Sequence, residues 1–233
     1  MENKKVLLIT GSRKGIGRYL SEYYCEKNFT VIGCSRGKSD FENKNYRHFE
    51  LDITDENKVK SMFNSVRKDH GRLDVLINNA GIASMNHIML TPLKTVENIF
   101  DTNFLGSFLF CREASKIMIK NKSGRIINLS SVAAGLNLEG EAIYAASKSA
   151  LVTFSKILAK ELSIYNITVN TIGLTPVETD LIKNVPKVKM DELLKKLSSN
   201  RFGKFSDISN VTDFLINEQS DFITGQNINL GGV

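Results

Sequence analysis

The sequence predicts an α/β protein with a doubly wound fold, in which a central parallel sheet of about seven strands carries helices on both faces. Short apolar runs alternate along the chain with longer segments of helical periodicity. Most runs are continuously apolar or β-branched, which is typical of strands buried on both faces of a parallel sheet. The 233 residues, 42% of them hydrophobic, suffice for a large core, and no Pro/Ser-rich linker or internal repeat divides them. We therefore predict a single domain over residues 1–233.

The pattern places each element in order. The predicted strands are Val6–Thr10, Thr30–Cys34, Arg47–Leu51, Val75–Asn78, Arg125–Leu129, Ile167–Ile172 and Asn227–Leu230. The predicted helices are Ile16–Lys27, Glu56–His70, Pro92–Lys120, Ile143–Ser163 and Ile208–Asn217. Thr91 and Pro92 supply a cap and a first-turn proline for the third helix. Since ligands of such sheets bind outside the carboxyl ends of the strands, we expect one crevice to be formed by Gly11, Asn78, Ser131 and the Leu174 region.

Composition excludes several classes of function. The net charge of +6 is modest, and no long Lys/Arg run or basic–aromatic alternation indicates nucleic-acid binding. No apolar run reaches the roughly 18 residues of a membrane span. Cys25, Cys34 and Cys111 lie far apart without a Cys/His cluster, so we expect buried free thiols and no metal. The N-terminus leads into only five strand-like residues, which argues against a signal peptide and favours a cytoplasmic location.

A glycine-rich turn follows the first strand, with the spacing G-x-x-x-G-x-G rather than the G-x-G-x-x-G of the general dinucleotide fingerprint. Gly11 permits a tight turn, and Gly15 and Gly17 allow a pyrophosphate and the neighbouring strand to approach closely. The amides and dipole of the following helix would hold the anion. A glycine-rich turn without a ligand is the alternative. The predicted cofactor contacts here are Gly11, Ser12, Arg13, Lys14, Gly15, Ile16 and Gly17.

The end of the second strand indicates which dinucleotide binds. NAD sites usually place Asp or Glu there, where the carboxylate bonds the ribose hydroxyls. This chain has Ser35 and Arg36 instead, and Lys14 precedes the second glycine of the turn. A guanidinium and an ammonium suit a 2′-phosphate, so NADP(H) is favoured. The alternative is that Arg36 and Lys14 are solvated surface charges.

Tyr144 and Lys148 form a Y-x-x-x-K pair. Their spacing of four places both on one helical face, one turn apart. A free phenol has a pKa near 10, too high for efficient proton exchange near neutrality. We expect the ammonium and a nicotinamide's positive charge to lower that pKa, so that Tyr144 exchanges a proton with a carbonyl oxygen. A Tyr/Lys pair on a solvated helix is the alternative.

Four motifs occur together and in one order: Thr10-Gly11-x-x-x-Gly15-x-Gly17, Asn78-Asn79-Ala80-Gly81, Ser130-Ser131 and Tyr144-x-x-x-Lys148. In this combination the chain resembles the short-chain dehydrogenase/reductase family over nearly its whole length. The resemblance implies a Rossmann fold and hydride transfer between a nicotinamide cofactor and a carbonyl. It also implies that Tyr144 and Lys148 contact the cofactor, the lysine through the nicotinamide ribose.

The family's pattern assigns two further catalytic roles. Ser131 lies 13 residues before Tyr144, the family's spacing, and would hydrogen-bond the carbonyl oxygen, with Ser130 left structural. Asn103, followed by Gly106 in an N-x-x-G match, would open its helix locally and hold a water that links Lys148 to solvent. A polar packing role in mid-helix is the alternative for Asn103.

The resemblance also implies cofactor contacts outside the glycine-rich turn. Asp52 would bond the adenine, Ile53 would pack near it, and Asn79-Ala80-Gly81 would pass beside the adenine ribose while also stabilising the sheet. Val177 and Thr179 match the stretch that binds the carboxamide and the diphosphate. Leu174-Thr175 departs from the family, which has Pro-Gly under the nicotinamide, so this turn should follow a different path.

The motif set and length resemble most closely the bacterial 3-oxoacyl-[acyl-carrier-protein] reductases of fatty acid biosynthesis. This implies an NADPH-dependent reductase and a homotetramer, with a substrate lid around residues 180–200 and a carrier protein that meets Lys122 and other basic residues. The alternatives are reduction of another small ketone, sugar or secondary-metabolite intermediate, or a cofactor-binding protein with little turnover. The altered turn at Leu174-Thr175 is the only feature that favours the last.

Overall fold

A computed structural model describes residues 4–177 and 187–232. Seven parallel strands form one sheet in the order β3-β2-β1-β4-β5-β6-β7. The strands are β1 Val6–Thr10, β2 Thr30–Ser35, β3 Tyr46–Glu50, β4 Val75–Asn78, β5 Gly124–Ser131, β6 Ile167–Leu174 and β7 Asn227–Asn229. The strand order reverses between β1 and β4, which opens a crevice at their carboxyl ends. The doubly wound Rossmann fold predicted from the sequence is thereby confirmed.

Helices cover both faces of the sheet. They are α1 Gly15–Glu26, α2 Glu56–His70, α3 Leu93–Phe100, α4 Gly106–Asn121, α5 Ala133–Leu136, α6 Ala142–Leu162, α7 Lys187–Lys195 and α8 Phe205–Ile216. One apolar cluster packs α2, α4 and α6 against one face, and a second packs α1 and α8 against the other. Along β1 the fully buried side chains alternate between the clusters, with Leu8 in the first and Leu7 and Ile9 in the second. Such two-sided burial explains the continuously apolar strand sequences.

The predicted helix Pro92–Lys120 is interrupted. The α3 helix ends at Phe100, a π-helical turn spans Asp101–Leu105, and α4 begins at Gly106. The prediction was also wrong at the helix start, because Pro92 is the extended N-cap residue, with φ −65° and ψ 144°, and the helix begins at Leu93. Proline fixes φ but leaves ψ free, and here ψ is extended. The π turn places the Asn103 side chain against Ile82, in the segment after β4, and Ser147 on α6.

The longest strand pairing positions the functional edge. β5 and β6 pair over eight residues, from Gly124 opposite Ile167 to Ser131 opposite Leu174. At their carboxyl ends both strands therefore run two residues beyond the predicted bounds, and their last residues, Ser131 and Leu174, line the crevice. Within the described parts of the chain, no helix is long and apolar enough to cross a membrane.

Candidate active site

A cavity of about 1090 Å³ opens at the carboxyl ends of the strands. It is lined by residues that follow β1, β2, β3, β4, β5 and β6, and the predicted Gly11, Ser131 and Leu174 converge there. The prediction was wrong for Asn78, which is buried in β4 and donates its amide to the side-chain oxygen of Asn128 at 2.7 Å. The predicted site residues that line it are Gly11, Arg13, Lys14, Gly15, Ile16, Ser35, Arg36, Asp52, Ile53, Asn79, Ala80, Gly81, Ser131, Tyr144, Lys148 and Val177. Ser12, Gly17 and Asn103 are buried behind the wall. Thr179 lies outside the described residues.

The glycine-rich turn has no room for side chains at its closest approaches. Gly11 has a φ of +69°, and a Cβ on Gly17 would lie 2.3 Å from the main-chain oxygen of Gly11. The Asn79 amide donates to the main-chain oxygens of Thr10 (2.8 Å) and Gly11 (3.2 Å). Asn79 therefore ties the end of β4 to the turn, and α1 begins immediately after it at Gly15. The geometry fits a pyrophosphate held on helix amides.

Cationic side chains line the rim of this half of the cavity. Arg13, Lys14 and Arg36 are all exposed there. Ser35, the last residue of β2, donates its hydroxyl to the main-chain oxygen of Gly37 at 2.7 Å. Three basic residues without an acid at the end of β2 give this rim a positive field, which would attract a phosphate group.

Asp52 and Ile53 form the neighbouring wall. One carboxylate oxygen of Asp52 accepts hydrogen bonds from the main-chain N–H of Thr54 (2.9 Å) and from its hydroxyl (2.8 Å). This leaves the second oxygen of Asp52 for a ligand such as an adenine amine. Ile53 packs closely on α4, where a Cβ on Gly106 would lie 2.5 Å from its Cδ1 atom. The glycine that follows the π turn thus makes room for Ile53.

Lys148 is buried beneath the cavity on α6. Its ammonium donates a hydrogen bond to the main-chain oxygen of Leu129 at 2.9 Å and lies 6.0 Å from the centre of the Tyr144 ring. Burial lowers the pKa of Lys148 from its ordinary value to about 8. A lysine in this state exchanges its proton near neutral pH more readily than an exposed one.

The pKa of Tyr144 moves in the direction opposite to the one we expected. Burial raises it, and the nearby carboxylate of Glu141 raises it further, whereas a hydrogen bond with Ser131 lowers it. The low dielectric around the phenol opposes its ionisation and outweighs its favourable contacts. Tyr144 therefore carries its proton at neutral pH in the protein alone.

The two adjacent serines at the end of β5 have different partners. Ser131 acts on the phenol of Tyr144, whose pKa it lowers, and its hydroxyl oxygen accepts from the main-chain N–H of Ala133 at 3.2 Å. Ser130 is buried and donates to the main-chain oxygen of Lys148 at 3.4 Å. Of the two serines, Ser131 is thus the one that acts on the phenol, and Ser130 fastens α6 to the sheet.

Asn103 occupies the centre of the π turn and is fully buried. Its side-chain oxygen accepts from the main-chain N–H of Ile82 at 2.8 Å, and its amide donates to the Ile82 oxygen and to Ser147 Oγ, both at 3.0 Å. A Cβ on Gly81 would lie 3.2 Å from the side-chain oxygen of Asn103 and 3.3 Å from the ammonium of Lys148. Gly81 therefore lets both polar groups approach the same small space.

The Leu174-Thr175 turn is accommodated by two glycines, Gly203 and Gly231, whose lack of a side chain leaves room for Thr175. Thr175 is buried, and a Cβ on Gly231 or Gly203 would lie 2.6 Å or 2.8 Å from its side-chain atoms. The main-chain oxygen of Leu174 accepts from Val132 N–H at 3.0 Å, which extends the β5–β6 pairing past the strand ends. The Thr175 side chain thus packs against glycines of the C-terminal segment, and both Leu174 and Thr175 line the cavity.

The opposite half of the cavity is lined by residues that the sequence did not single out. Apolar side chains come from Met85, Leu138, Met190 and Leu193, and charged ones from Glu139, Glu141 and Lys196. Met190 and Leu193 lie on α7, in the described part of the predicted lid. Nothing local in the sequence indicated that Met85 and Leu138, more than 50 residues apart in the chain, face the same space.

Comparisons with known proteins agree with this geometry. The family model described as short chain dehydrogenase matches residues 5–189. The 3-oxoacyl-[acyl-carrier-protein] reductase FabG of Escherichia coli (strain K12) is 31% identical over 98% of this chain and 96% of its own. The solved structure of ElxO with NADP bound has a TM-score of 0.89 at 30% identity and covers 97% of both chains.

A second solved structure is similar over most of its length. The ligand-free aldohexose dehydrogenase of Thermoplasma acidophilum has a TM-score of 0.88 at 27% identity, with 98% of this chain and 93% of that chain covered. The parallel sheet, the order of the motifs along it and these similarities lead to one conclusion. The chain belongs to the short-chain dehydrogenase family.

Proposed function

We propose that the protein is an NADPH-dependent carbonyl reductase that reduces 3-oxoacyl groups carried on acyl carrier protein to their 3-hydroxyacyl form. The observation that carries the proposal is the placement of Ser131, Tyr144 and Lys148 on one wall of the cavity that continues to the glycine-rich turn. The half of the cavity that would hold the nucleotide and the half that would hold the substrate thus meet at the phenol of Tyr144. Membership of an oxidoreductase family supplies the reaction type.

The cofactor would lie between the glycine-rich turn and α6. The crowded glycines of the turn would hold the diphosphate, Asp52 and Ile53 the adenine, Asn79-Ala80-Gly81 the adenine ribose, and Lys148 the nicotinamide ribose. Val177 and Thr179 would contact the carboxamide and diphosphate. A bound nicotinamide dinucleotide supplies the hydride for the carbonyl carbon.

The side chains of this chain would provide the proton. Tyr144 donates its phenolic proton to the carbonyl oxygen, and Ser131 hydrogen-bonds the same oxygen where negative charge develops. A phenol whose pKa is raised by burial is fully protonated at neutral pH, which suits the reducing direction. Lys148, with a pKa of about 8, can then return a proton to Tyr144. Asn103, which approaches Lys148 beside Gly81, would hold the water that completes the path to solvent.

The rim charges support NADP(H) over NAD(H). Arg13, Lys14 and Arg36 are basic, and Ser35 stands where NAD sites carry an acid. The similar protein ElxO was solved with NADP bound. A 2′-phosphate adds about two negative charges to the cofactor, so the positive charges of the rim attract NADPH more strongly than NADH.

The proposal of a carrier-bound acyl substrate is supported by the apolar lining of the cavity and by the similarity to a known reductase. Met85, Leu138, Met190 and Leu193 would contact an acyl chain, and the similar E. coli protein is named for this reaction. Exposed Lys122, at the end of α4, would meet the acidic carrier protein. Glu139 and Glu141 favour the second candidate, a small hydroxylated substrate such as a sugar, because carboxylates accept hydrogen bonds from hydroxyl groups.

We also propose a cytoplasmic homotetramer in which the whole chain forms one domain and residues around 180–200 form the lid. Cys25, Cys34 and Cys111 are buried free thiols, as in proteins of reducing compartments. Large apolar side chains are exposed on α3 (Leu93, 72%), on α6 (Ile157, 54%) and before β7 (Phe222, 97%). Contact between subunits at these helices and at the last strand would cover them.

A substrate panel tests the proposed function. Loss of NADPH absorbance would be followed with an acetoacetyl thioester, small ketones and open-chain sugars, each repeated with NADH. The proposal predicts the highest kcat/KM for the thioester with NADPH. A higher kcat/KM for sugars or for simple ketones would show that the proposed substrate is wrong and that the favoured compound class is the substrate instead. Absence of turnover with every substrate, combined with tight NADPH binding, would favour a cofactor-binding protein.

A further inference from the structure

A chain of hydrogen-bonded side chains lies directly behind the basic rim. Ser12 Oγ lies 2.9 Å from Tyr46 Oη, and Tyr46 Oη lies 2.8 Å from His48 Nδ1. On the other side of the imidazole, Nε2 lies 3.0 Å from Ser35 Oγ and 3.1 Å from the main-chain oxygen of Gly37. Ser12 belongs to the glycine-rich turn and Ser35 ends β2. His48 and Tyr46, from β3, therefore connect the two segments that form the rim.

The partners of this chain fix the direction of its hydrogen bonds. A main-chain oxygen only accepts, so the contact with Gly37 places the proton of the neutral imidazole on Nε2. Nδ1 is then the acceptor for the Tyr46 hydroxyl, and Tyr46 accepts in turn from the Ser12 hydroxyl. Ser35 donates to Gly37 and accepts from Nε2. Every donor has an acceptor, which is the condition for a well-ordered polar network.

The fold leaves space for this network. Gly33 lies opposite His48 in the β2–β3 pairing, and a Cβ on Gly33 would lie 2.3 Å from both Ser12 Oγ and Tyr46 Oη. The ring of Phe41 packs against Tyr46 with centroids 4.7 Å apart. A glycine in the middle of a strand usually weakens it, so the missing side chain here serves the close approach of the two hydroxyls.

We propose that His48, acting through Tyr46 and Ser35, is a positioning residue that sets the preference for NADPH, because it holds the glycine-rich turn and the Ser35–Gly37 segment where both reach the adenosine 2′-phosphate. This inference rests on the proposed function, which supplies the cofactor. It differs from the charge argument for Lys14 and Arg36, since His48 lies behind the rim and not on it.

The network can also take up a second proton on His48. With Nδ1 protonated, Nδ1 donates to Tyr46, Tyr46 donates to Ser12, and the Ser12 hydroxyl turns to the main-chain oxygen of Cys34 at 3.4 Å. Only hydroxyl rotations are needed. A bound 2′-phosphate would favour this charged form, as an anion does for any nearby cation. By linkage, a ligand that raises the pKa of His48 must bind more tightly as the pH falls through it.

Other charges act on His48 from each neighbouring segment. Burial lowers the pKa of His48, Arg13 on the turn lowers it as well, and Glu50 on β3 and the main-chain oxygen of Gly37 raise it. Glu42 and Lys44, on the loop before β3, line a shallow depression shared with His48. In the protein alone the imidazole is therefore mainly neutral at pH 7.

NMR titration of the histidine Cε1–H signals tests the inference on the parent protein. The chain has three histidines, so His70→Gln and His87→Gln assign the His48 signal by elimination. We expect saturating NADP⁺ to raise the pKa of His48 and NAD⁺ to leave it unchanged. Equal effects of the two cofactors, or none, would overturn the inference.

The selectivity between NADPH and NADH provides a second test of the inference. His48→Gln and Tyr46→Phe should each reduce the ratio of NADH to NADPH dissociation constants by about five- to tenfold, the effect of one hydrogen bond. His87→Gln, in an exposed loop, is the matched control and should leave it unchanged. If the parent itself binds NADH as well as NADPH, the proposed cofactor is wrong. If the parent prefers NADPH and both variants keep that preference, only the role of His48 is wrong.

Discussion

The ammonium group of Lys148 lies 2.9 Å from the main-chain oxygen of Leu129 and donates a hydrogen bond to it. This bond joins the first third of α6 to β5, two residues before Ser131 at the end of the strand. Within hydrogen-bonding reach of a carbonyl but removed from water, the ammonium keeps one acceptor and loses most of its hydration. Its pKa consequently falls to about 8.

The lowered pKa of Lys148 makes the stability of the protein depend on pH. Between about 8 and its ordinary value of 10.5, the unfolded chain keeps a proton on this lysine that the folded chain has lost. The free energy of unfolding should therefore rise with pH across this window, by at most about 1.4 kcal/mol per pH unit. Urea unfolding of the parent and of Lys148→Met between pH 7 and 10 measures it. A parent-minus-variant difference that stays flat would contradict the buried, partly neutral lysine.

Gly17→Ala should destabilise the protein although alanine is normally the better helix former. The new Cβ would lie 2.3 Å from the main-chain oxygen of Gly11 and 2.5 Å from the amide of Asn79. We expect a loss of about 1–3 kcal/mol in the free energy of unfolding, as for other overpacked sites, together with weaker NADPH binding. Gly135→Ala on α5 is the control, because nothing lies within 4 Å of its Cβ position. Similar unfolding midpoints for the two variants would show that the turn has more room than described.

Arg36→Asp should reduce or reverse the preference for NADPH. The change removes an exposed cation at the end of β2 and introduces the acid that bonds ribose hydroxyls in NAD sites. Steady-state kcat/KM values with NADPH and NADH, measured for parent and variant, give the ratio directly. Arg47→Asp changes charge equally on β3, where the side chain pairs with Asp69, and serves as the control. A variant ratio equal to that of the parent would mean that Arg36 is only a surface charge.

The protein should be a tetramer in solution, or at least a dimer. Burying the exposed Leu93, Ile157 and Phe222 side chains provides the apolar contact. Light scattering at micromolar concentration should give a mass near four times the 26.0 kDa of the chain, or twice for the dimer. Ile157→Asp should lower that mass, because it buries a charge at the contact between helices. A parent mass of one chain would rule the assembly out.

The strands and their order along the chain could be predicted because a strand that is buried on both faces of a sheet has a continuously apolar sequence. Val6–Thr10 and Val75–Asn78 were predicted with the bounds that the structure has. The polar ends of β5 could not, because Ser130 and Ser131 are ordered by pairing with β6 and not by their own preference. The local pattern of apolar residues indicates which segments are buried, whereas the end of β5 depends on its partner strand β6, about 40 residues later in the chain.

The same distinction separates the parts of the site. Tyr144 and Lys148 could be placed together from their spacing on a helix, and Ser131 joined them through the resemblance to the short-chain family. The local opening of the helix at Asn103 was implied by the family resemblance alone, because it depends on hydrogen bonds between Asn103 and main-chain atoms of Ile82, 21 residues earlier. The direction of the Tyr144 pKa shift was missed, since it depends on how deeply the phenol is buried.

The proton donated by Tyr144 is the central claim, and Tyr144→Phe tests it most directly. The substitution removes one hydroxyl and keeps the ring, so the fold and NADPH binding should persist, which fluorescence titration of bound NADPH would verify. The rate of NADPH oxidation with a substrate that the parent reduces should fall by about 10²–10⁴-fold, the usual contribution of a positioned acid. A variant that binds NADPH and reduces that substrate at a rate near the parent's would contradict the account.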